Sequence, residues 1–174
     1  MSLTFLQQLE IKEAIRELVL FYSRGVDRQD IALLRTLYTR DATDDHGKHF
    51  SGSADDYLAF LERSLPNLHA SGHFVCNHLI SVVDADHAEG EVYAIAWHHI
   101  PDGKGGALLD LAGVRYIDQY RREAGRWLFA RRVVRFDLRD TKPAPPPAVP
   151  PLAGAQDPSY QVLQSRLFAR GPRP

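Results

Sequence analysis

The sequence predicts one α+β domain in which helices come first and a curled antiparallel sheet follows. Its 174 residues fit a single domain. In the first third of the chain, apolar residues recur with the period of amphipathic helices. From about residue 73 the period changes to two, in four long segments rich in Val, Ile, Tyr and Phe. Because no helical segment separates these strands, antiparallel pairing is favoured over parallel pairing, which needs crossover connections.

Three helices are predicted before the sheet. Gly25 is expected to end or bend the first, and Asp30 is expected to cap the second. The segment Ser53-Ala54-Asp55-Asp56 resembles a capping box that opens the third, which Pro66 ends. The apolar stripes of the three are Ile11, Ile15, Leu18 and Tyr22; Ile31, Leu34, Leu37 and Tyr38; and Tyr57, Leu58, Leu61 and Leu65.

The strands are predicted at residues 73–83, 90–100, 108–120 and 126–137, with turns rich in Gly, Pro and Asp between them. The polar segment 42–52 is expected to be a short strand or a loop. A curled sheet has a concave face that helices can close, and this geometry makes a deep pocket.

A C-terminal extension is predicted to follow the domain, with residues 1–140 forming the domain and residues 141–174 the extension. Residues 142–151 are rich in proline and indicate a stiff, extended linker. Asp157-Pro158 then indicates the start of a short helix. Its expected apolar stripe can cover the pocket, dock on a neighbouring subunit or fray; it consists of Tyr160, Leu163, Leu167 and Phe168.

Composition argues against several classes of partner. The formal net charge of −1 provides no field for binding nucleic acid or anionic lipid. No apolar run approaches the ~20 residues of a membrane span, and the N-terminus lacks the basic start of a signal peptide. Cys76 is the single cysteine, so it has no intrachain disulfide partner. We therefore expect a cytoplasmic protein that binds neither nucleic acid nor membrane.

Histidine is the residue type that stands out, because eight are present and histidine exchanges protons near neutral pH. Alternation along the first long strand places His73 with Val75, Asn77 and Leu79, and His78 on the opposite face. In the second strand, His98 shares a face with small residues that leave volume for a ligand, namely Val92, Ala94 and Ala96. His99 shares the other face with Tyr93, Ile95 and Trp97. Periodicity alone does not decide which face is concave.

Two residues near the end of the first helix have both a structural and a functional interpretation. Asp27 is either a turn residue or a carboxylate that orients a histidine or a catalytic water. Tyr22 is either a core aromatic or a hydroxyl that polarises a substrate oxygen.

A metal site is the rival hypothesis, because His69-x3-His73 and Asp44-Asp45-His46 supply suitable ligand types. The first pair lacks helical spacing, and H-E-x-x-H and paired cysteines are missing from the sequence, so we predict no metal and no other cofactor. The basic run 131–135 alternates along a strand, and most of its arginines are expected on the outer surface.

The chain resembles the SnoaL-like group of the NTF2-like superfamily, and within it the scytalone dehydratase type. The resemblance spans about residues 5–137. It rests on three motifs taken together: Tyr22-x4-Asp27-x2-Asp30; Gly72-His73-Phe74 with Asn77-His78; and Tyr120-Arg121-Arg122-x2-Gly125-x-Trp127. It implies a cone-shaped barrel with a deep apolar pocket, in a homodimer or homotrimer.

The resemblance also implies roles for individual residues. Asp27 would position a histidine, while His73 and His98 would act on the leaving group and on the acidic carbon. Dehydratases of this type hold a water with two tyrosines, but here His46 and Val26 occupy the matching positions, and Tyr22 is the candidate substitute. The predicted catalytic set is thus Asp27, His73, His98, Tyr22 and His46. The predicted substrate-binding set is Asn77, Tyr116, His78, Trp97 and Phe168.

The expected activity is that of a cofactor-independent lyase acting on a small hydroxylated aromatic compound. Loss of water would proceed through a quinone-methide or enol-type intermediate. The same intermediate can instead drive carbon–carbon cleavage that releases formaldehyde from a lignin-derived diaryl compound. The alternatives are an isomerase or cyclase of polyketide or steroid type, and a binding module without catalysis, since fold does not determine function.

Overall fold

The computed structural model describes residues 3–147 and 154–173. The helices are α1 (Phe5–Asp27), α2 (Ile31–Leu34), α3 (Ala54–Ser64) and α4 (Ser159–Val162), with 3₁₀ turns at Leu65–Asn67, Gly154–Gln156 and Arg166–Phe168. The strands are β1 (Tyr38–Asp45), β2 (Ser51–Ser53), β3 (Ala70–Val82), β4 (His87–Pro101), β5 (Ala107–Glu123) and β6 (Arg126–Ala144). No helix within these ranges is long and apolar enough to cross a membrane.

The strands form one curled, unclosed sheet in the order β2-β1-β6-β5-β4-β3. The four long strands pair antiparallel as predicted, whereas β1 pairs parallel with β6. Helix α1 crosses the concave face and contacts β3 and β6. The predicted α+β class and the NTF2-like cone are confirmed.

The predicted stripe of α1 is buried, and the helix begins at a capping box formed by Thr4 and Gln7. The expectation that Gly25 ends this helix is wrong, because α1 continues to Asp27. A Cβ atom at Gly25 would lie 2.6 Å from Cδ2 of Leu34. Glycine is therefore needed here for the close approach of α1 and α2.

The next two helices begin where predicted, but α2 is shorter than expected. Asp30 caps α2 by accepting a hydrogen bond from the Leu33 N–H at 3.1 Å. Tyr38, expected on this helix, instead begins β1, because the Leu37 carbonyl accepts a hydrogen bond from the Phe129 N–H of β6 and so brings the chain into the sheet. At α3, the Ser53 hydroxyl accepts from the Asp56 N–H at 3.1 Å, which confirms the predicted cap.

Strand β6 is longer than the sequence indicates. It runs seven residues beyond the predicted end at residue 137, and Ala144 pairs with Ala107 of β5. The predicted boundary between residues 140 and 141 therefore falls inside a strand. Residues 148–151 of the predicted linker lie outside the described residues.

Among the β-bulges of the long strands, two decide which face carries a candidate site residue. One lies in β3 between Val75 and His78, so that Asn77 is exposed while His78 turns inward. The other lies in β6 opposite Gln119 and Tyr120, and it turns Arg132 inward. A bulge adds one residue to one strand of a pair, and every side chain beyond it changes face.

The C-terminal segment 154–173 does not form the predicted helix with one apolar stripe. Helix α4 ends at Val162, and Phe168 lies in a separate 3₁₀ turn. The segment lies along the outer side of α1, where the Arg24 guanidinium stacks on Tyr160 and Phe168 at 5.0 and 5.4 Å from the ring centroids. Nearer its end, Arg173 pairs with Glu17 at 2.7 Å. It covers a helix and not the mouth of the cone.

Candidate active site

A cavity of about 280 Å³ lies between α1, α3 and the concave face of the sheet. Most of its wall is apolar. The apolar and aromatic lining consists of Val26, Phe60, Leu61, Leu65, Leu68, Ala96, Ile100, Val114, Val134 and Phe136. The side chains that bring polar atoms to it are Tyr22, His46, His49, Tyr57, Ser64, His73, His98, Asp110, Tyr116 and Arg139. Such a lining suits a small, largely apolar ligand with a few polar groups.

The end of α1 places Asp27 directly behind His73. The Asp27 carboxylate accepts hydrogen bonds from the Nδ1 of His73 at 2.7 Å, from the His73 backbone N–H at 3.0 Å and from the Ser71 hydroxyl at 3.1 Å. Burial raises the pKa of Asp27, but the hydrogen bonds and charge of His73 outweigh it and hold the pKa below its ordinary value. Asp27 is therefore ionised at neutral pH and holds the His73 ring by accepting a hydrogen bond from its Nδ1. The other ring nitrogen of His73, Nε2, is the one that remains for a ligand in the cavity.

His98 is the second histidine of this wall, and strand register explains its position. His73 faces Ala96 across the strand pair, so His98, two residues further along β4, is a diagonal neighbour of His73. The two ring centroids lie 5.6 Å apart, edge to face. Burial, helped by the nearby His73, lowers the pKa of His98 to about 4. His98 is therefore a neutral imidazole at neutral pH.

A second histidine–aspartate pair reaches the cavity from the opposite edge of the sheet. His46 follows β1 directly, and its Nδ1 lies 2.6 Å from Oδ1 of the fully buried Asp44. The Nε2 of His46 is 3.1 Å from the Tyr57 hydroxyl of α3. That hydroxyl is in turn 2.8 Å from the hydroxyl of Tyr22 on α1.

Beneath the cavity lies a buried ion pair. Arg132 is fully buried and donates two hydrogen bonds, each 2.8 Å long, to Asp118, which faces it directly across β5 and β6. The guanidinium carbon lies 4.2 Å from the ring centroid of Tyr22 and 4.3 Å from that of Tyr116. Two cavity-lining tyrosines thus make cation–π contacts with the buried Arg132 guanidinium.

The structure brings most of the predicted catalytic set together. Tyr22, His46, His73 and His98 line the cavity, and so does Tyr116 from the binding set. Asp27 sits behind His73 as the resemblance implied. The role of each of these residues stays a prediction.

Four members of the predicted binding set lie away from the cavity lining. Asn77 is exposed because of the bulge in β3. His78 turns inward but meets Tyr120 at 3.2 Å and not the cavity. Trp97 covers Gly72, where a Cβ atom would lie 2.4 Å from the indole nitrogen. Phe168 packs on the outer side of α1.

Sequence reasoning missed three functional candidates. Tyr57 was assigned only to a helix stripe, Asp110 was not singled out, and Arg132 was grouped with a surface run. The other two arginines of that run, Arg131 and Arg135, are exposed. Register carries the missing signal, because Asp110 faces His98 and Arg132 faces Asp118 only when the strands are paired.

The candidate ligands of the rival metal hypothesis do not form a site of three or more. In residues 3–147 and 154–173, no three His, Cys, Asp or Glu side chains are placed to hold an ion. His69 lies beside His99, with ring centroids 5.3 Å apart, while His73 turns towards Asp27.

Fold and site together define an NTF2-like domain whose apolar cone encloses acid–base side chains. The SnoaL-like domain family matches residues 7–133, and the chain belongs to this family. No curated protein sequence matches the chain significantly.

Solved structures share the fold at low identity. A protein of Novosphingobium aromaticivorans, provisionally assigned as a scytalone dehydratase, superposes with a TM-score of 0.72 at 21% identity, over 84% of this chain and 99% of that one. The hexachlorocyclohexane dehydrochlorinase LinA type 3 of Novosphingobium barchaimii superposes with a TM-score of 0.70 at 22% identity, over 85% of this chain and 100% of that one. At such identities the likeness shows the fold.

Proposed function

We propose that this protein is a cofactor-independent lyase that removes water from a small hydroxylated aromatic substrate. The observation that carries the proposal is the Asp27–His73 pair beside an apolar cavity. A neutral histidine held by a carboxylate through Nδ1 is a general base at Nε2. The aromatic and aliphatic lining suits an arene.

The chemistry needs no external electron sink when the substrate carries a para-phenol. His73 takes the phenolic proton through Nε2, the ring oxygen donates its electron pair, and the benzylic C–O bond breaks to give a quinone methide and, after protonation of the leaving group, water. His98 then removes a proton from the adjacent carbon, and His73 returns its proton to the ring oxygen. General acid–base assistance of this kind contributes about 10²–10⁴ in rate.

A neighbouring hydroxymethyl group offers a second outcome from the same intermediate. Removal of its O–H proton forms formaldehyde, the carbon–carbon bond breaks, and the electron pair restores the aromatic ring. Which outcome occurs depends on the substituents of the substrate. The names of the two structural relatives, a dehydratase and a dehydrochlorinase, describe lyases and support the reaction class.

The test uses two phenolic probes. We expect the protein to convert 1-(4-hydroxyphenyl)ethanol to 4-vinylphenol, or to release formaldehyde from 1,2-bis(4-hydroxyphenyl)propane-1,3-diol. His73→Ala should lower kcat by about 10²–10⁴. The matched control substrate 1-(4-methoxyphenyl)ethanol should not react, because its methylated oxygen cannot form a neutral quinone methide.

Three outcomes separate the alternatives. Loss of neither water nor formaldehyde from either phenol would overturn the lyase proposal. A product of unchanged mass would indicate an isomerase. Binding of the phenols without turnover would indicate a ligand-binding module.

A further inference from the structure

The proposed mechanism leaves one proton without a source. The departing hydroxyl must be protonated to leave as water, since hydroxide is a poor leaving group. His73 acts as the base in that step, and His98 is a neutral imidazole in its buried position. The proton must come from another group that touches the cavity.

We propose that Tyr22 and Tyr57 protonate the leaving oxygen as the cavity end of a proton relay whose reservoir is the His46–Asp44 pair. This inference rests on the proposed lyase function and adds a role for the side of the cavity opposite His73. The hydrogen-bonded path runs from His46 Nε2 through the Tyr57 hydroxyl to the Tyr22 hydroxyl, over steps of 3.1 and 2.8 Å. All three side chains line the cavity.

The two walls come from opposite edges of the sheet. His73 lies on β3, the edge strand on one side, whereas His46 follows β1 near the other edge. A substrate between them can lose a proton to one side and gain a proton from the other. This arrangement assigns the base and the acid to separate groups on opposite sides of the substrate.

The tyrosines need a partner in order to donate. Burial raises the pKa of Tyr22 to about 12, and burial also raises the pKa of Tyr57 well above its ordinary value. Neither can be left as an isolated phenolate. A buried tyrosine can still pass a proton on when it receives one in the same step, and His46 is the hydrogen-bonded neighbour able to provide it.

The relay starts at His46 because the surrounding residues hold the His46 ring in one orientation. Asp44 is fully buried and accepts a hydrogen bond from the Tyr38 hydroxyl at 2.8 Å, which anchors the carboxylate beside Nδ1 of His46. The ring of His46 also stacks on Tyr57, with centroids 4.7 Å apart. His46 is thereby held with Nε2 towards the Tyr57 hydroxyl. His46 and Asp44 are positioning residues, and Tyr22 or Tyr57 touches the substrate.

Atoms and charges balance through the cycle. His46, in its protonated form, gives a proton to Tyr57, Tyr57 passes one to Tyr22, and one of the two hydroxyls gives a proton to the leaving oxygen as the C–O bond breaks. Water departs and both tyrosines are again neutral. His46 regains its proton from solvent, and the proton that His98 took from carbon is returned to solvent. The relay therefore predicts a substrate whose leaving group is an oxygen that needs protonation.

The decisive experiment compares two leaving groups on one scaffold. The first substrate is 1-(4-hydroxyphenyl)ethanol. The second carries a 4-nitrophenyl group on the benzylic oxygen of the same compound, and its nitrophenolate leaves without protonation. Tyr57→Phe and His46→Gln should each lower kcat for the alcohol by about 10²-fold, and for the ether by less than about threefold. His73→Ala should lower kcat for both substrates.

Tyr120→Phe is the matched control, because Tyr120 is also a buried, hydrogen-bonded tyrosine but is not part of the cavity lining. It should leave both rates near native. Equal losses on the two substrates in Tyr57→Phe, or no loss on the alcohol, would overturn the relay while leaving the lyase proposal standing. Failure of the native protein on both substrates would count against the lyase proposal itself.

A second measurement does not depend on turnover. The unreactive 1-(4-methoxyphenyl)ethanol keeps the leaving hydroxyl, so its binding should shift the imidazole ¹⁵N resonances of His46 in the native protein. Because His46 also lines the cavity, the part of the shift that the relay carries is the part that Tyr57→Phe removes, and binding should persist. An equal shift in the native protein and in Tyr57→Phe would count against the relay. Saturation with the probe and an unmoved His46 resonance would show that the relay does not reach the substrate.

Discussion

Two of the polar clusters inside this cone differ in their access to open space. The open cluster consists of Asp27, His73 and His98, on the cavity wall. The sealed cluster consists of His78, Asp118, Tyr120 and Arg132. In the sealed cluster the Arg132 cation is matched by the Asp118 carboxylate, which also accepts a hydrogen bond from Tyr120 at 2.9 Å. The two opposite charges of this cluster therefore neutralise each other.

The difference shows that residue type, burial and pKa do not by themselves mark an active site. Burial lowers the pKa of His78 to about 4, as it does for His98. Both histidines lie near a carboxylate on the inner face of the sheet. What distinguishes the open cluster is a cavity beside a histidine nitrogen that has no assigned intramolecular partner in the described residues, namely Nε2 of His73.

The largest expected effects come from equivalent substitutions in the two clusters. Asp27→Asn should lower kcat by about 10²–10⁴, because the His73 tautomer is no longer fixed. Asp118→Asn should instead destabilise the fold by about 3–5 kcal/mol, because it leaves the Arg132 cation buried without a counter-charge. Activity assays on 1-(4-hydroxyphenyl)ethanol and urea denaturation measure the two effects.

The double substitution Asp118→Leu with Arg132→Met is the control for the sealed cluster. It removes both charges, so most of the lost stability should return. The distinction between the open and the sealed cluster would be wrong if Asp27→Asn unfolds the protein. It would also be wrong if Asp118→Asn keeps native stability and loses only turnover.

Pattern and resemblance could predict the fold because helix stripes and strand alternation are local. They also placed Asp27, His73 and His98 in one site. They failed where a single residue changes the register: the bulge before His78 reversed the faces of Asn77 and His78, and the bulge in β6 buried Arg132. Tyr57 could not be recognised because the β1–β2 hairpin, which leads directly into α3, brings it to His46, and the polar segment 42–52 was predicted only as a short strand or a loop.

Stability should fall in mild acid because of the two neutral histidines. His98 has a pKa of about 4 in the folded protein against an ordinary value of 6.5. Between these values the unfolded chain binds more protons than the folded one, so unfolding becomes easier as the pH is lowered from 6.5 towards 4. His98 contributes up to about 3 kcal/mol of this loss.

Urea denaturation between pH 7 and pH 4 tests this expectation. His98→Gln and His78→Gln should each flatten the pH dependence of the free energy of unfolding, since each removes one group that takes up a proton on unfolding. An unchanged slope in both variants would mean that these histidines are protonated in the folded protein and that the two clusters are solvated alike.

Ligand binding should distinguish His98 from His78, although the pKa values of the two histidines are alike. Saturation with 1-(4-methoxyphenyl)ethanol should shift the ring resonances of His98, which lines the cavity, and leave those of His78 in place. Heteronuclear NMR of the histidine side chains gives both signals in one titration. A shift of His78 as large as that of His98 would show that the sealed cluster is open to ligand.

The smallest expected effect is that of Phe168→Ala. Phe168 stacks with Arg24 on the outer side of α1, whose inner side carries Tyr22 into the cavity. The substitution removes contacts with α1 but none with the cavity, so kcat and KM for 1-(4-hydroxyphenyl)ethanol should change by less than about twofold. Leu61→Ala, in the cavity wall, is the matched truncation and should raise KM. A tenfold rise in KM for Phe168→Ala in a folded variant would contradict this expectation and would indicate that the C-terminal segment helps to form the substrate site.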